Sequence, residues 1–309
     1  VAAGVGVLAS PWVHVVHRRL PTLHAMAQSL VQWAGLLDVP AAVVAGVRGD
    51  RRLGAATAGL AAAGTAGALW INGGHRRPQR AAGETVSVAH FNLLYINERL
   101  GRDVPYLRRT DADGLTFCEL TPRHLRTLEA SALAADYPYR VENPGPYATG
   151  TALWSRFPLR AVEGPQLEHH TVAAEIDAGP VGPLRVVVIH TRSPLHHVGK
   201  WVDDLAELAA EPVPGDRPAV IIGDFNAAWG HPGFRRIARS GWRDAHRELA
   251  RGLTNSWPTD RRWAPSFVRL DHALVNAQAE VVDAVDVDVP GSDHRGLVVS
   301  LRRARSATA

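Results

Sequence analysis

Cysteine is almost missing from this chain of 309 residues, in which Cys118 stands alone. One thiol excludes an intrachain disulfide framework and any zinc cluster built from several cysteines, although so cysteine-poor a chain tolerates an oxidising exterior. There is no serine in a G-x-S-x-G turn, and no single charged, apolar and cleavable run of the kind that makes a signal peptide. A strong charge imbalance is lacking too: 34 Lys+Arg stand against 30 Asp+Glu, for a formal net charge of +4, with arginine greatly outnumbering lysine. That excess favours anionic partners only weakly. With 21% charged and 46% hydrophobic residues, the composition excludes a polar disordered chain and leaves room for one large domain with an appendage. The sequence opens on Val1, which fits either a fragment or a non-standard start codon.

What the chain does have is a sharp change of composition near residue 75. Ala, Val, Leu and Gly dominate up to Asn72, and the few charges fall in clumps. Three apolar stretches stand out, Val1 to Val16, about Leu30 to Val47, and Leu53 to Ile71, of which the last two approach the ~17 to 25 residues of a membrane span. Asp38 and Pro40 interrupt the second, and the third is only modestly hydrophobic because Ala and Gly are near neutral on insertion scales. Gly54, Ala58, Gly59, Ala63 and Gly67 give that third stretch small residues near four-residue spacing, which lets helices approach closely. Residues 1–75 are therefore expected to hold two or three transmembrane helices, the alternative being an Ala-rich helical pair outside the bilayer. The basic turn Arg-Gly-Asp-Arg-Arg at residues 48–52 is expected in the cytoplasm, which sends everything after Asn72 to the outer face of the cell membrane. Arg18 and Arg19, and His75, Arg76, Arg77 and Arg80, compete with that orientation.

From Glu84 onward, short apolar runs alternate with Gly, Pro and Asp turns. TVSVAHFNLL, GLTFCEL, TALWSRF, HHTVAAEID, LRVVVIHT, AVIIGDFN, LDHALVN and GLVVSL read as strands, several rich in β-branched residues. Helical windows lie at Thr121 to Ala135, opened by a Thr-Pro start signal, and at His197 to Ala210. Strands that outnumber helices predict a mixed α and β domain, two stacked sheets flanked by helices, over residues 84–303.

Polar residues fall at the ends of these runs, where loops bring side chains together. Asn92 follows VSVAHF, Glu119 follows GLTFC, His190 follows LRVVVI, Asp224 and Asn226 follow AVIIG, Asp271 follows FVRL, and Asp293-His294 precede GLVVSL. Strand ends converge on one rim of a sheet, so one pocket is expected to gather them. Oxygen ligands such as Glu119 and Asp293 suit a hard cation, Mg²⁺ or Mn²⁺ rather than zinc. A carboxylate such as Asp271 or Asp293 beside a histidine fixes its tautomer and stabilises its charged form. Together these groups make a metal-assisted hydrolase of phosphorus esters, in which a carboxylate orients water. Taken singly, Asp224 is also what a strand-capping turn uses, and His190 what a strand end uses. Glu119 in an apolar run is harder to explain structurally, because a buried carboxylate without a partner costs several kcal/mol.

The set, in that order, resembles the endonuclease/exonuclease/phosphatase superfamily of DNase I-like nucleases, inositol-polyphosphate phosphatases and neutral sphingomyelinases. Gly-Asp-Phe-Asn at 223–226 and Ser-Asp-His at 292–294 carry the resemblance most specifically, and GTALWSRFP at 150–158 is similar to a further family strand. The resemblance implies that Asn92 and Glu119 belong to the metal site and that His190, with Ser193-Pro194 behind it, contacts phosphate. It further implies that Asp224 orients the nucleophilic water, Asn226 contacts the transition state, Asp271 partners His294, and Asp293 helps hold the metal. Cys118 departs from the pattern, since the family usually has Gln before this Glu. Apolar stretches ahead of such a domain resemble the VanJ-like branch, associated with teicoplanin resistance. That branch implies an exported, Mg²⁺-dependent phosphatase acting on a lipid-linked phosphoester or pyrophosphate. Two other readings stay open: an exported nuclease, which dispersed arginines favour less, and a non-catalytic membrane-tethered binding module.

Overall fold

The computed structural model describes residues 21–33, 38–72, 84–251, 254–261 and 265–304. Among the described residues three helices come first: α1 (Pro21–Ser29), α2 (Asp38–Val47) and α3 (Arg51–Asn72). Then follow β1 (Val86–Asn92), α4 (Leu100–Arg109), β2 (Gly114–Cys118), α5 (Pro122–Glu129), α6 (Leu133–Asp136), β3 (Tyr139–Asn143), β4 (Thr151–Ser155), β5 (Leu159–Val162), β6 (Val172–Asp177) and β7 (Pro183–His190). The remainder is α7 (Pro194–Ala210), β8 (Ala219–Asp224), α8 (Pro232–Arg239), β9 (Arg243–Asp244), α9 (Ala245–Glu248), β10 (Asp271–Val275), β11 (Ala279–Val287) and β12 (Gly296–Arg303).

The strands form two six-stranded sheets, in the orders β11-β12-β1-β2-β4-β3 and β5-β6-β7-β8-β10-β9. Each sheet contains one parallel pair, β1 with β2 and β7 with β8, set among antiparallel neighbours. A parallel pair needs a crossover, and here the crossovers are α4 and α7. Each lies on the outer face of its sheet. Leu100, Val104 and Leu107 of α4 pack with Phe91, Phe117 and Trp154. Trp201, Leu205 and Leu208 of α7 pack with Val187, Ile189 and Ile221. Between the sheets, alternate residues of the same strands, Val88, Val186, Val188, Val220 and Ile222 among them, build a third apolar layer with Val299 and Leu301. Interior strands are thus covered on both faces, which is why they read as continuous apolar runs. The window at Thr121 to Ala135 starts as expected, with Thr121 accepting from the His124 N–H at 3.1 Å and Pro122 in the first turn, but it breaks into α5 and α6.

The expected membrane spans do not appear: among the described residues no helix is long and apolar enough to cross a membrane. The stretch from Leu30 to Val47 is not one helix, because α1 ends at Ser29 and α2 has only 10 residues. α3 has 22 residues, but most are Ala, Gly and Thr, whose transfer into lipid gains little. The turn at 48–52 does form, with Gly49 at φ +73° and Asp50 Oδ1 accepting from the Leu53 N–H at 3.0 Å. Gly54 of α3 lies against α2, where a Cβ would meet Gly46 N at an ordinary contact distance of 3.8 Å. The first apolar stretch, Arg18, Arg19 and the cluster from His75 to Arg80 lie outside the described residues.

Candidate active site

The parallel pairs run the same way to one rim, so Asn92, Glu119, His190 and Asp224 emerge together at or just beyond their C-terminal ends. β10 runs antiparallel to β8, and β12 to β1, so their starts meet the same rim. Asp271 is the register partner of Asp224, and Asp293 and His294 enter just ahead of β12. Two bends aim side chains inward: Glu119 at φ +55° and Asn226 at φ +45° are left-handed, a conformation that costs non-glycine residues about 1–3 kcal/mol and persists where neighbours over-determine it.

The structure brings together all eight residues singled out from the sequence. Asn92 Nδ2 donates to Glu119 Oε1 at 3.0 Å and to Asp224 Oδ2 at 3.2 Å. Asp224 Oδ1 accepts from the Asn226 N–H at 2.8 Å, while Asp224 Oδ2 lies 3.6 Å from His190 Nε2 and 3.7 Å from His294 Nε2. Those gaps are too long for hydrogen bonds, so Asp224 Oδ2, bonded to Asn92, keeps a further lone pair facing the two imidazoles. Asn226 Nδ2 approaches His190 Nε2 at 3.3 Å. His294 Nδ1 donates to Asp271 Oδ2 at 2.8 Å, which leaves Nε2 turned to the cleft.

Electrostatics divide these groups. Burial opposes the His294 charge, but Asp271, Asp224 and Asp293 outweigh it and raise this imidazole to about 10. His294 is therefore a cation at neutral pH, clamped between carboxylates. Burial raises Asp224 to about 6, with His294 opposing and Asp271 adding to the shift. Asp271, opposed by burial, is held below the usual carboxylate range by His294 and its hydrogen bond. Beneath it His90 is pushed down by burial to about 4, donates from Nδ1 to Thr116 Oγ1 at 3.0 Å and keeps Nε2 3.7 Å from Asp271 Oδ1. The charge of Asp271 is answered chiefly by His294, with smaller contributions from His90 and a hydrogen bond to Ser256.

Two groupings could hold a cation. Ligand atoms of Asp224, Asp271 and His294 lie within 4.8 Å of one another, and one Asp271 oxygen there is already engaged by His294 Nδ1 at 2.8 Å. The second is Glu119 with Asp293. Glu119 Oε2 accepts from the Tyr95 N–H at 2.8 Å, and the residue keeps 9% exposure. Asp293 Oδ2 accepts from Trp257 Nε1 at 3.0 Å, while its Oδ1 is buried without a partner. Burial raises Asp293, opposed by His294 and the Trp257 hydrogen bond and reinforced by the Glu119 charge. Two adjacent carboxylates and an orphaned oxygen are a donor set that fits a hard divalent cation. Asn92 Oδ1 accepts from the Leu94 N–H at 2.9 Å and keeps a second lone pair, so the residue orients the acids and still has an oxygen to offer a cation.

Three contributors escaped the sequence reading. Trp257 braces Asp293, and His169 Nδ1 lies 3.2 Å from His190 Nδ1. Ser292 Oγ donates to Asn92 O at 2.7 Å and accepts from the His294 N–H at 3.0 Å. Ser292 stood in the Ser-Asp-His motif and could have been found there; Trp257 and His169 lie in loops without a local signal.

Residues 89–294 match the family model described as Endonuclease/Exonuclease/phosphatase family. No curated protein matches the chain in sequence. Among solved structures, a humanized D. rerio TDP2 carrying 14 mutations is similar at TM-score 0.56 and 15% identity, over 71% of this chain and 99% of that one. An AP endonuclease from Archaeoglobus fulgidus matches at TM-score 0.56 and 19% identity, over 69% and 98%. An endonuclease/exonuclease/phosphatase from Beutenbergia cavernae matches at TM-score 0.55 and 19% identity, over 74% of each chain. Identities this low establish the fold alone, whereas the family match covers strands of both sheets and every residue of the cleft, so the chain belongs to the endonuclease/exonuclease/phosphatase family, whose members hydrolyse phosphoesters.

Proposed function

We propose that the chain is a Mg²⁺-dependent phosphohydrolase acting outside the cytoplasm on a phosphoester or pyrophosphate carried by a membrane lipid. The observation that carries the hydrolase reading is the placement of His294, its Nδ1 bonded to Asp271 Oδ2 at 2.8 Å and its Nε2 3.7 Å from Asp224 Oδ2 across the cleft. Such a pair suits attack by water on phosphorus: Asp224 holds the water and accepts its proton as the new P–O bond forms. The bond to the leaving oxygen breaks, and that oxygen departs with the electron pair. His294, His190 and Asn226 face the phosphoryl oxygens, where fixed donors offset the charge that builds up. A cation held by Glu119 and Asp293 would supply Lewis-acid neutralisation of the same oxygens. Trp257 and Asn92 keep those two acids oriented.

The membrane part of the reading is supported by the outside of α2 and α3, where Val39, Val43, Val44, Val47 and Leu53 are exposed beside the exposed Arg48, Arg51 and Arg52. Apolar side chains next to a basic turn suit an anionic lipid surface. A nuclease remains the second reading, because one neighbour in fold is a D. rerio TDP2 complexed with single strand DNA product. The deciding experiment assays the purified full chain on polyprenyl pyrophosphate, bis(p-nitrophenyl) phosphate and DNA, with and without Mg²⁺. Release of phosphate from the lipid, lost in EDTA, is expected; turnover of DNA alone would replace the lipid reading, and no turnover of any substrate would sink the hydrolase. Alkaline washing of cell membranes and a reporter fused after Ala309 test placement, with release by the wash or cytoplasmic reporter activity counting against it.

A further inference from the structure

We propose that residues 21–33 form a strap that positions the Trp257 loop at the cation side of the cleft, with Gln32 and Trp33 acting as positioning residues. The inference rests on the assignment of Glu119 and Asp293 as cation donors.

The strap is seated at one end by α1. Ala25 joins the apolar layer over the second sheet, and its carbonyl accepts from His231 Nε2 at 2.9 Å. Burial holds His231 near 4, so the ring is neutral, and its Nδ1 accepts from the Ala228 N–H at 2.8 Å. Only one tautomer satisfies both bonds. Gly230 permits the close approach, since a Cβ there would stand 1.8 Å from Gln28 O.

At the other end two donors converge on one carbonyl. Gln32 Nε2 donates to Phe267 O at 2.6 Å, and Trp33 Nε1 donates to the same oxygen at 2.7 Å. Gln32 Nε2 also reaches Asn255 Oδ1 at 3.3 Å, and Asn255 Nδ2 reaches Ser266 O at 3.3 Å. The two legs of the loop are thereby tied at their base. They are tied again where Trp257 bridges Val268 and where the Phe267 N–H donates to Trp257 O at 3.1 Å. Trp257 and Phe267 pack ring against ring at 5.8 Å. From there Trp257 Nε1 fixes Asp293 Oδ2, which leaves the orphaned Oδ1 as the oxygen free to bind. A path of named bonds thus leads from Gln32 and Trp33 to a cation donor that neither touches. Packing of α1 alone would not require two side-chain donors on one loop carbonyl.

The test uses the full chain. Gln32→Met with Trp33→Phe removes both donors while keeping bulk, and Gly230→Ala lifts α1 from the opposite end. Hydrogen exchange at the Phe267 and Val268 amides and Mn²⁺ affinity by calorimetry are the readouts. Faster exchange and a dissociation constant raised about tenfold, the lower end of outer-shell effects, are expected for both. Gln32→Met alone, which keeps the Trp33 donor, should fall between, and it serves if the double variant does not fold. Unchanged exchange, or faster exchange with wild-type Mn²⁺ affinity, overturns the strap. A wild-type chain that binds no Mn²⁺ would instead sink the cation assignment itself, a result separable from the variants' behaviour.

Discussion

The first sheet reaches the cleft through the ends of β1 and β2 and the turn before β12, the second through the ends of β7 and β8 and the start of β10. In plan they are alike, each with one parallel pair, one crossover helix on its outer face and a rim of polar residues. In chemistry they differ. The first contributes Glu119 and Asp293, oxygen donors braced by Asn92 and Trp257. The second contributes His190, Asp224 and Asn226, which the proposed hydrolysis sets against the phosphoryl group, and Asp271, which favours the charged form of His294. Similar scaffolds thus divide labour by what stands at their strand ends, and His294, carried by the first sheet but held by the second, couples them.

That division can be broken by substitution. The largest effect is expected from Asp224→Asn, which leaves Glu119 and Asp293 of the first sheet in place: kcat should fall by ~10² to 10⁴ with KM little changed, as for loss of a general base. A change confined to KM would contradict a role for the second sheet in the chemical step. Glu119→Gln should act through the other half, lowering the rate at limiting Mg²⁺ and recovering part of it as Mg²⁺ is raised. Wild-type rate and metal dependence in that variant would remove Glu119 from the cation site.

The coupling is sharpened by pH. With Asp224 raised to about 6 and His294 to about 10, the rate should climb as Asp224 ionises and decline as His294 loses its proton. Asp271→Asn deletes a charged hydrogen bond of ~1.5–3 kcal/mol, so the alkaline limb should move down by about one to two pH units while Mn²⁺ affinity holds. A limb that ignores the substitution would uncouple Asp271 from His294. Stability carries the same sign: His294 is raised above its unfolded value of ~6.5, so its contribution is complete below that pH and vanishes as pH rises through about 10. The smallest effect should come from Tyr137→Phe, remote from both halves, which loses the buried bond from Tyr137 Oη to Ala112 O at 2.6 Å. About 1 kcal/mol of stability should go, visible as a lower Tm, with kcat and KM unchanged. Altered kinetics would mean that the outer helical layer is not a passive cover.

How much of this could be read in advance follows the same geometry. The runs recognised as strands became β1, β2, β4, β6, β7, β8, β10 and β12, all interior to their sheets. The four that went unrecognised, β3, β5, β9 and β11, are the four edges. An interior strand such as β7 is buried on both faces and writes an apolar run into the sequence, whereas β5 or β3, half-exposed, carries Arg160 or Arg140 and Glu142 and has no such signature. The site was legible for a related reason. Asn92, Asp224 and His190 are polar residues directly at the end of apolar runs, a contrast visible without coordinates. Trp257, by contrast, reaches Asp293 from a loop with no periodicity, and nothing in residues 21–33 announces that Gln32 and Trp33 meet Phe267. Apolar content near the N-terminus suggested spans; helix breaks and Ala-rich composition, not hydrophobicity alone, govern what forms there.

Asn92 has a mechanical consequence. Its single amide nitrogen touches one acid from each sheet, Glu119 beyond β2 and Asp224 at the end of β8, and so pins the mouth of the sandwich across the gap between layers. A neutral clasp of this kind holds Glu119, one of the two proposed cation donors, at a fixed place against the second sheet, so an arriving cation spends little of its affinity on ordering that acid. Asn92→Asp keeps the shape but turns the clasp into a wedge, a third negative charge between two others, and the sheets should then part at the rim until a cation is supplied.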